Sequence, residues 1–165
     1  EVIIRLGYSL KRIKEGHSVK DSLPISQTEK SIQIGNNAFY YATNLVVILQ
    51  GEKQPSSLGS NWDYYCGHYV NPQQVITTED AIYVIDQNGK AWLAKYCADE
   101  SEFVAETVVS GIPVTGIGAY AFSKKTNLIT CTVPRQITDL GQNCFNQCDK
   151  LTIFFESEIL PGSNG

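Results

Sequence analysis

Three side chains lie close enough in sequence to suggest chemistry: Asp63, Cys66 and His68. Carboxylate, thiolate and imidazole are zinc ligands, and a thiol near an imidazole is the pairing that cysteine nucleophiles use. The spacing argues against both. It fits no common zinc pattern and lacks a fourth ligand. Cys66 and His68 are two residues apart, so their side chains need not converge, and no third group orients the imidazole. A polar loop following Trp62 accounts for the cluster. His17 and His68 are the only histidines, which limits acid–base chemistry. No phosphate loop, dinucleotide fingerprint or serine-nucleophile elbow occurs. The chain is therefore expected to be non-enzymatic, with no catalytic residue, metal or cofactor.

Aromatic residues give a better lead. Tyr40 and Tyr41 follow Phe39, and Trp62, Tyr64 and Tyr65 form a second group. Exposed aromatics anchor protein or sugar ligands, so these five are the expected ligand-binding residues. The competing reading, favoured over the first, packs them beneath the N-terminal segment or a hairpin.

The elements that position these residues come from a repeat. Ile34-Gly35-Asn36-Asn37-Ala38-Phe39 closes at Leu45, Ile117-Gly118-Ala119-Tyr120-Ala121-Phe122 at Leu128, and Leu140-Gly141-Gln142-Asn143-Cys144-Phe145 at Leu151. The pattern is (Ile/Leu)-Gly-x-x-small-Phe followed by Leu. Gly118 and Gly141 are 23 positions apart, a leucine-rich-repeat period. A longer period of 106 carries Gly35, Phe39, Leu45 and Pro55 onto Gly141, Phe145, Leu151 and Pro161. Each glycine is expected to supply the positive φ of a tight corner. Each Phe is expected to act as a wedge between coils, worth roughly 1.5–3 kcal/mol on burial. The apolar runs 45–49, 128–133 and 151–155 read as strands of a stacked sheet, and brief helices are expected at 36–42, 119–125 and 142–148. Asn88-Gly89 between two apolar runs marks a hairpin near 80–96, which is expected to cap the second array. Leu6-Gly7-Tyr8-Ser9-Leu10 reads as a possible decayed coil.

These motifs resemble the BspA-like leucine-rich repeats, with Ile117 to Pro134 matching the family core most closely. Residues 44–62 are similar to the segment that closes such arrays, and 79–118 to the segment that opens one. Ala105-Glu106 and Ser31-Ile32 depart from the pattern, and residues 1–30 match poorly. The resemblance implies an α/β right-handed β-α superhelix, a solenoid, with an inserted β-hairpin. It also implies an extracellular or cell-surface location, bacterial relatives, and adhesion to a protein or glycan on a host or neighbouring cell. Two other roles stay open: a structural spacer, or the targeting module of a larger secreted enzyme. The repeats divide the chain into an N-terminal segment with a first unit (1–72) and a hairpin with a second unit (73–165).

Composition is compatible with this picture. A net charge of −4 argues against nucleic acid as a partner. The basic cluster Lys11, Arg12, Lys14 and Lys20 reads as a solvated face. No apolar run reaches the length of a membrane span, and no signal-peptide pattern occurs. The first residue is Glu1 rather than Met, as expected of a processed or excised piece. The five cysteines are an odd number and are expected to be thiols. Cys144 takes the small-residue position of Ala38 and Ala121, and a Cys144–Cys148 disulfide is disfavoured.

Overall fold

A computed structural model of the chain describes residues 2–7, 33–51, 54, 55 and 57–163. The decayed coil at 6–10 and the basic cluster at 11–20 therefore lie wholly or partly outside the described residues. Within them, four coils stack in two arrays.

β1 (Val2–Gly7) runs parallel to the strand of the first coil. That coil joins β2 (Gln33–Ile34) to β3 (Leu45–Gln50). The second joins β4 (Ser57–Leu58) to β5 (Gly67–Val70). Three antiparallel strands follow: β6 (Gln74–Thr77), β7 (Ala81–Ile85) and β8 (Ala91–Tyr96). After β9 (Glu102–Val104) and the short β10 (Val108–Val109), the third coil joins β11 (Ile112–Ile117) to β12 (Thr130–Val133). The fourth joins β13 (Asp139–Leu140) to β14 (Thr152–Phe155), and β15 (Gly162–Ser163) follows. Coil-to-coil pairing is parallel throughout: β2 with β4, β3 with β5, β11 with β13, and β12 with β14.

The expected helices are corrected. Among the described residues none is helical, and 36–41, 119–124 and 142–147 are turns. Linked three-residue bonds build them, such as Ser123 N–H to the Tyr120 carbonyl and Lys125 N–H to the Phe122 carbonyl. The cause is two left-handed residues per coil: Asn37 and Tyr41, Asn61 and Tyr65, Tyr120 and Lys124, Asn143 and Gln147, with φ between 51° and 74°. A left-handed residue every fourth position cannot propagate an α-helix.

The role assigned to the corner glycines is corrected too. Positive φ falls two and six residues after each corner glycine; among the described glycines only Gly89 and Gly111 adopt it. The corner glycine instead permits close approach. A Cβ on Gly141 would lie 2.4 Å from the Ala119 nitrogen, and one on Gly59 would lie 2.2 Å from the Asn36 nitrogen. Backbone cannot yield at such distances. The wedges do stack: Phe122 and Phe145 lie 5.0 Å apart at 21°, Tyr96 of the hairpin continues the stack at 5.3 Å from Phe122, and Phe39 meets Trp62 edge-on at 6.2 Å.

The hairpin joins the two arrays. The turn uses Asp86 as its anchor, whose carboxylate accepts from the Asn88 and Lys90 N–H groups, with Gly89 left-handed. β8 pairs in parallel with β11, so the hairpin extends the second ladder and covers its first coil. Its other face packs Ile82, Val84 and Ala94 against Val46 and Ile48 of β3. β6 and the β10–β11 pair, turned by Ser110 and Gly111 in left-handed conformations, were not legible in advance.

Candidate functional site

The second coil explains where the aromatic residues go. Inter-coil bonds align Leu58-Gly59-Ser60-Asn61 with Ile34-Gly35-Asn36-Asn37: Asn37 N–H donates to Ser60 O, Phe39 N–H to Trp62 O, and Gly59 N–H to Ile34 O. The same three bonds recur in the second array, from Tyr120 to Gln142, Phe122 to Cys144, and Gly141 to Ile117. Residues 58–66 are thus a fourth copy of the repeat. Leu58-Gly59-x-Asn61 was its visible signal, and Asp63 at the wedge position hid it.

This alignment puts Tyr64 beside Tyr40 and Tyr65 beside Tyr41. Tyr40 and Tyr64 stack at 5.4 Å and 14°, and Tyr41 lies 4.9 Å from Tyr65. The cluster packs on turns of the second array, not under the hairpin. Tyr120 meets Tyr64 at 5.6 Å and Tyr65 at 6.1 Å. Lys124 Nζ sits 3.7 Å above the Tyr41 ring and 4.6 Å from that of Tyr65. Gln147 Nε2 donates to Tyr65 Oη, and Asn143 Nδ2 to Tyr120 Oη. Burial, then the neighbouring phenols, raises Tyr65 above the ordinary phenol range.

Of the five residues singled out by sequence, four come together and two of them face solvent. Tyr40 is 38% and Tyr41 54% exposed; Tyr64 is half-buried and Tyr65 buried. Trp62 departs from expectation. It is buried against Phe39, with the His68 ring 4.9 Å away, so it offers packing rather than contact surface.

Asp63, Cys66 and His68 do not converge as a trio. Asp63 Oδ2 and His68 Nδ1 pair at 2.6 Å, while Cys66 Sγ lies 3.9 Å from the Phe39 carbonyl inside the core. Burial, reinforced by Asp63, pushes the Cys66 thiol up to about 12, which keeps it protonated at neutral pH. Cys131 and Cys144 are likewise buried thiols, pushed up by burial to about 12 and about 11.

Lys95 escaped the sequence reading. It is fully buried on β8 and donates from Nζ to the Tyr120 carbonyl at 2.7 Å. Burial lowers its amine to about 8. Lys125, half-buried, donates to the Cys97 and Ala98 carbonyls. Nothing in the spacing of Ala94-Lys95-Tyr96 flagged it, because strand alternation places a lysine there without showing that both sheet faces are covered.

The family described as "BspA type Leucine rich repeat region (6 copies)" matches residues 99–160. Similar solved structures include the T. pallidum Leucine Rich Repeat protein, at 19% identity and TM-score 0.47, covering 53% of this chain and 41% of that one. A leucine-rich repeat protein from Bacteroides capillosus is 27% identical with TM-score 0.48, covering 53% and 69%. A leucine rich cell surface protein from Faecalibacterium prausnitzii is 18% identical with TM-score 0.47, covering 76% and 32%. The chain thus spans less than half the length of the first and third. No curated protein matches it.

Proposed function

We propose that this chain, whose residues 99–160 are BspA-type leucine-rich repeats, is a non-enzymatic module that binds a protein through the tyrosines at the junction of its two arrays. The observation that carries this reading is the pair of exposed rings, Tyr40 and Tyr41, held on a packed base of Tyr64, Tyr65, Tyr120 and Lys124. Tyrosine supplies large amphipathic contact area at low entropic cost. A base fixed by ring contacts and the Gln147–Tyr65 hydrogen bond adds little further ordering on binding. The proposal includes a secreted or cell-surface setting and an adhesive role toward a protein, or a glycan, of another cell; its support is the resemblance of the repeats to the BspA type. The division into an N-terminal segment with a first unit (1–72) and a hairpin followed by a second unit (73–165) is part of the same proposal.

The test is capture on arrays of extracellular proteins and glycans. Tyr40→Ala/Tyr41→Ala is expected to weaken capture of any ligand by at least about tenfold, the scale of a hot-spot aromatic pair, with cooperative unfolding retained. Undiminished capture by the double variant would reject this surface.

A further inference from the structure

Five of the chain's nine tyrosines meet in one cluster: Tyr40, Tyr41, Tyr64, Tyr65 and Tyr120, with neighbouring ring centroids 4.4–6.1 Å apart. Phenylalanine would fill nearly the same volume. A phenol differs from it in chemistry, because it can lose one electron and its hydroxyl proton to give a phenoxyl radical. Two such radicals held in contact join through the ring carbons ortho to oxygen.

The geometry of the cluster selects one pair for that reaction. Among its tyrosine contacts, Tyr40–Tyr64 alone is stacked, at 5.4 Å and 14°. Parallel rings at that separation are displaced sideways, so the edge of one ring lies over the edge of the other. The remaining contacts do not offer this. Tyr40–Tyr41, Tyr40–Tyr65, Tyr64–Tyr65 and Tyr65–Tyr120 meet edge to face, at 63–83°. Tyr64–Tyr120 is tilted by 56°. Tyr41–Tyr65 is tilted by 30°, and Lys124 Nζ lies 3.7 Å above the Tyr41 ring, where a cation opposes removal of an electron. Tyr65 is also buried, with its hydroxyl bonded to Gln147.

Access and presentation favour the same pair. Tyr40 is exposed and Tyr64 half-buried, so an oxidant in solution reaches the first ring and the second lies directly against it. The two residues sit on turns of neighbouring coils, fixed to each other by the bond from Phe39 N–H to the Trp62 carbonyl. Both phenols are therefore in place before oxidation begins, which makes their coupling effectively unimolecular.

We propose that Tyr40 and Tyr64 form an oxidative cross-linking site, at which a one-electron oxidant, a peroxidase acting with hydrogen peroxide, joins the two side chains as dityrosine. Each phenol gives up one electron and its hydroxyl proton. One carbon–carbon bond forms between the two ortho carbons, and the hydrogens on those carbons move to the oxygens, restoring both phenols. Hydrogen peroxide takes up the two electrons and two protons and leaves as two waters. The bond closes a loop of 24 residues (64 minus 40) and ties the first coil to the second, so oxidation stiffens the first array.

The test treats the dilute, purified chain with a peroxidase and limiting hydrogen peroxide. No ligand is present, so the result is independent of the binding proposed above. Dityrosine fluorescence, chain size on a denaturing gel, peptide maps and thermal unfolding are recorded. The expected product is monomeric. Its peptides containing Tyr40 and Tyr64 are joined with loss of two hydrogens, and its melting temperature is raised by at least about 3 °C. Tyr64→Phe is expected to lower monomeric dityrosine at least about fivefold, and Tyr41→Phe to leave it within about twofold of the parent. The urea-unfolded chain is expected to spread its links over many tyrosines. The inference is overturned if the folded chain yields no dityrosine, if its links are as scattered as those of the unfolded chain or join separate chains only, or if Tyr64→Phe keeps the parent yield.

Discussion

Lys95 sits fully buried where the first array, the hairpin and the second array meet. One carbonyl, that of Tyr120, accepts from it. Burial is the main reason its amine falls from 10.5 to about 8; Lys125 pushes the same way, while Cys66, Cys97 and Cys148 oppose. The native amine therefore releases its proton before the unfolded one does. Between about pH 8 and 10.5 the unfolded chain holds more protons, so this residue's contribution to stability rises with pH through that window. Below pH 8 its burial costs roughly 3 kcal/mol. The buried thiols run oppositely. Cys66, Cys131 and Cys144 ionise from 9.0 when unfolded but only at about 12, 12 and 11 when folded, so their contribution is lost above pH 9. Comparing parent with Lys95→Met isolates the lysine. The variant is expected to be more stable by about 1–3 kcal/mol near pH 7, in urea unfolding, with the gap closing by pH 10.5. A gap independent of pH would contradict this assignment.

At the scale of the coil, two kinds of glycine are distinguished by a single substitution. Gly89 turns the hairpin at φ +76° with open space around it, whereas Gly141 has an ordinary backbone pressed against Gly118–Ala119. Asparagine tolerates left-handed backbone, so Gly89→Asn is expected to cost under about 1 kcal/mol. Gly141→Asn must separate two coils and is expected to cost more than about 2 kcal/mol. Equal losses in thermal unfolding would show that close approach is not the glycine's role. This distinction was not legible in the sequence. Ile-Gly-x-x-small-Phe revealed that coils stack, and Asn88-Gly89 revealed the hairpin, because both are local patterns. Whether a glycine serves φ or proximity depends on a neighbour 23 or 24 residues away. The same applies to the turns read as helices: Asn37, Asn61 and Asn143 signal left-handed backbone, but Tyr41, Tyr65, Lys124 and Gln147 do not announce it.

Across the whole molecule, the arrays meet through β3 on the hairpin and through their turns. The tyrosines were identifiable as unusual because the second array carries Ser123-Lys124 and Asn146-Gln147 at the same positions. Their mutual packing, the burial of Trp62 and the closure by Lys124 were not identifiable, since no local pattern encodes which faces of two arrays touch. A Tyr65→Phe substitution removes the acceptor of the Gln147 hydrogen bond together with the hydroxyl's hydrogen bond to Tyr41. It is expected to cost about 0.5–1.5 kcal/mol, and to cost less in a Gln147→Ala background, as measured by a double-mutant cycle; fully additive losses would mean the Gln147–Tyr65 bond is not made.

Coil stacking underlies all of these arguments, and residue-resolved amide exchange probes it directly. Tyr120, Phe122 and Lys124 donate across to the fourth coil, while Asn143, Phe145 and Gln147 occupy the same coil positions and donate to no backbone carbonyl among the described residues. Exchange is expected to be slow at the first three and fast at the second three. Matching rates at the paired positions would contradict a ladder of stacked coils.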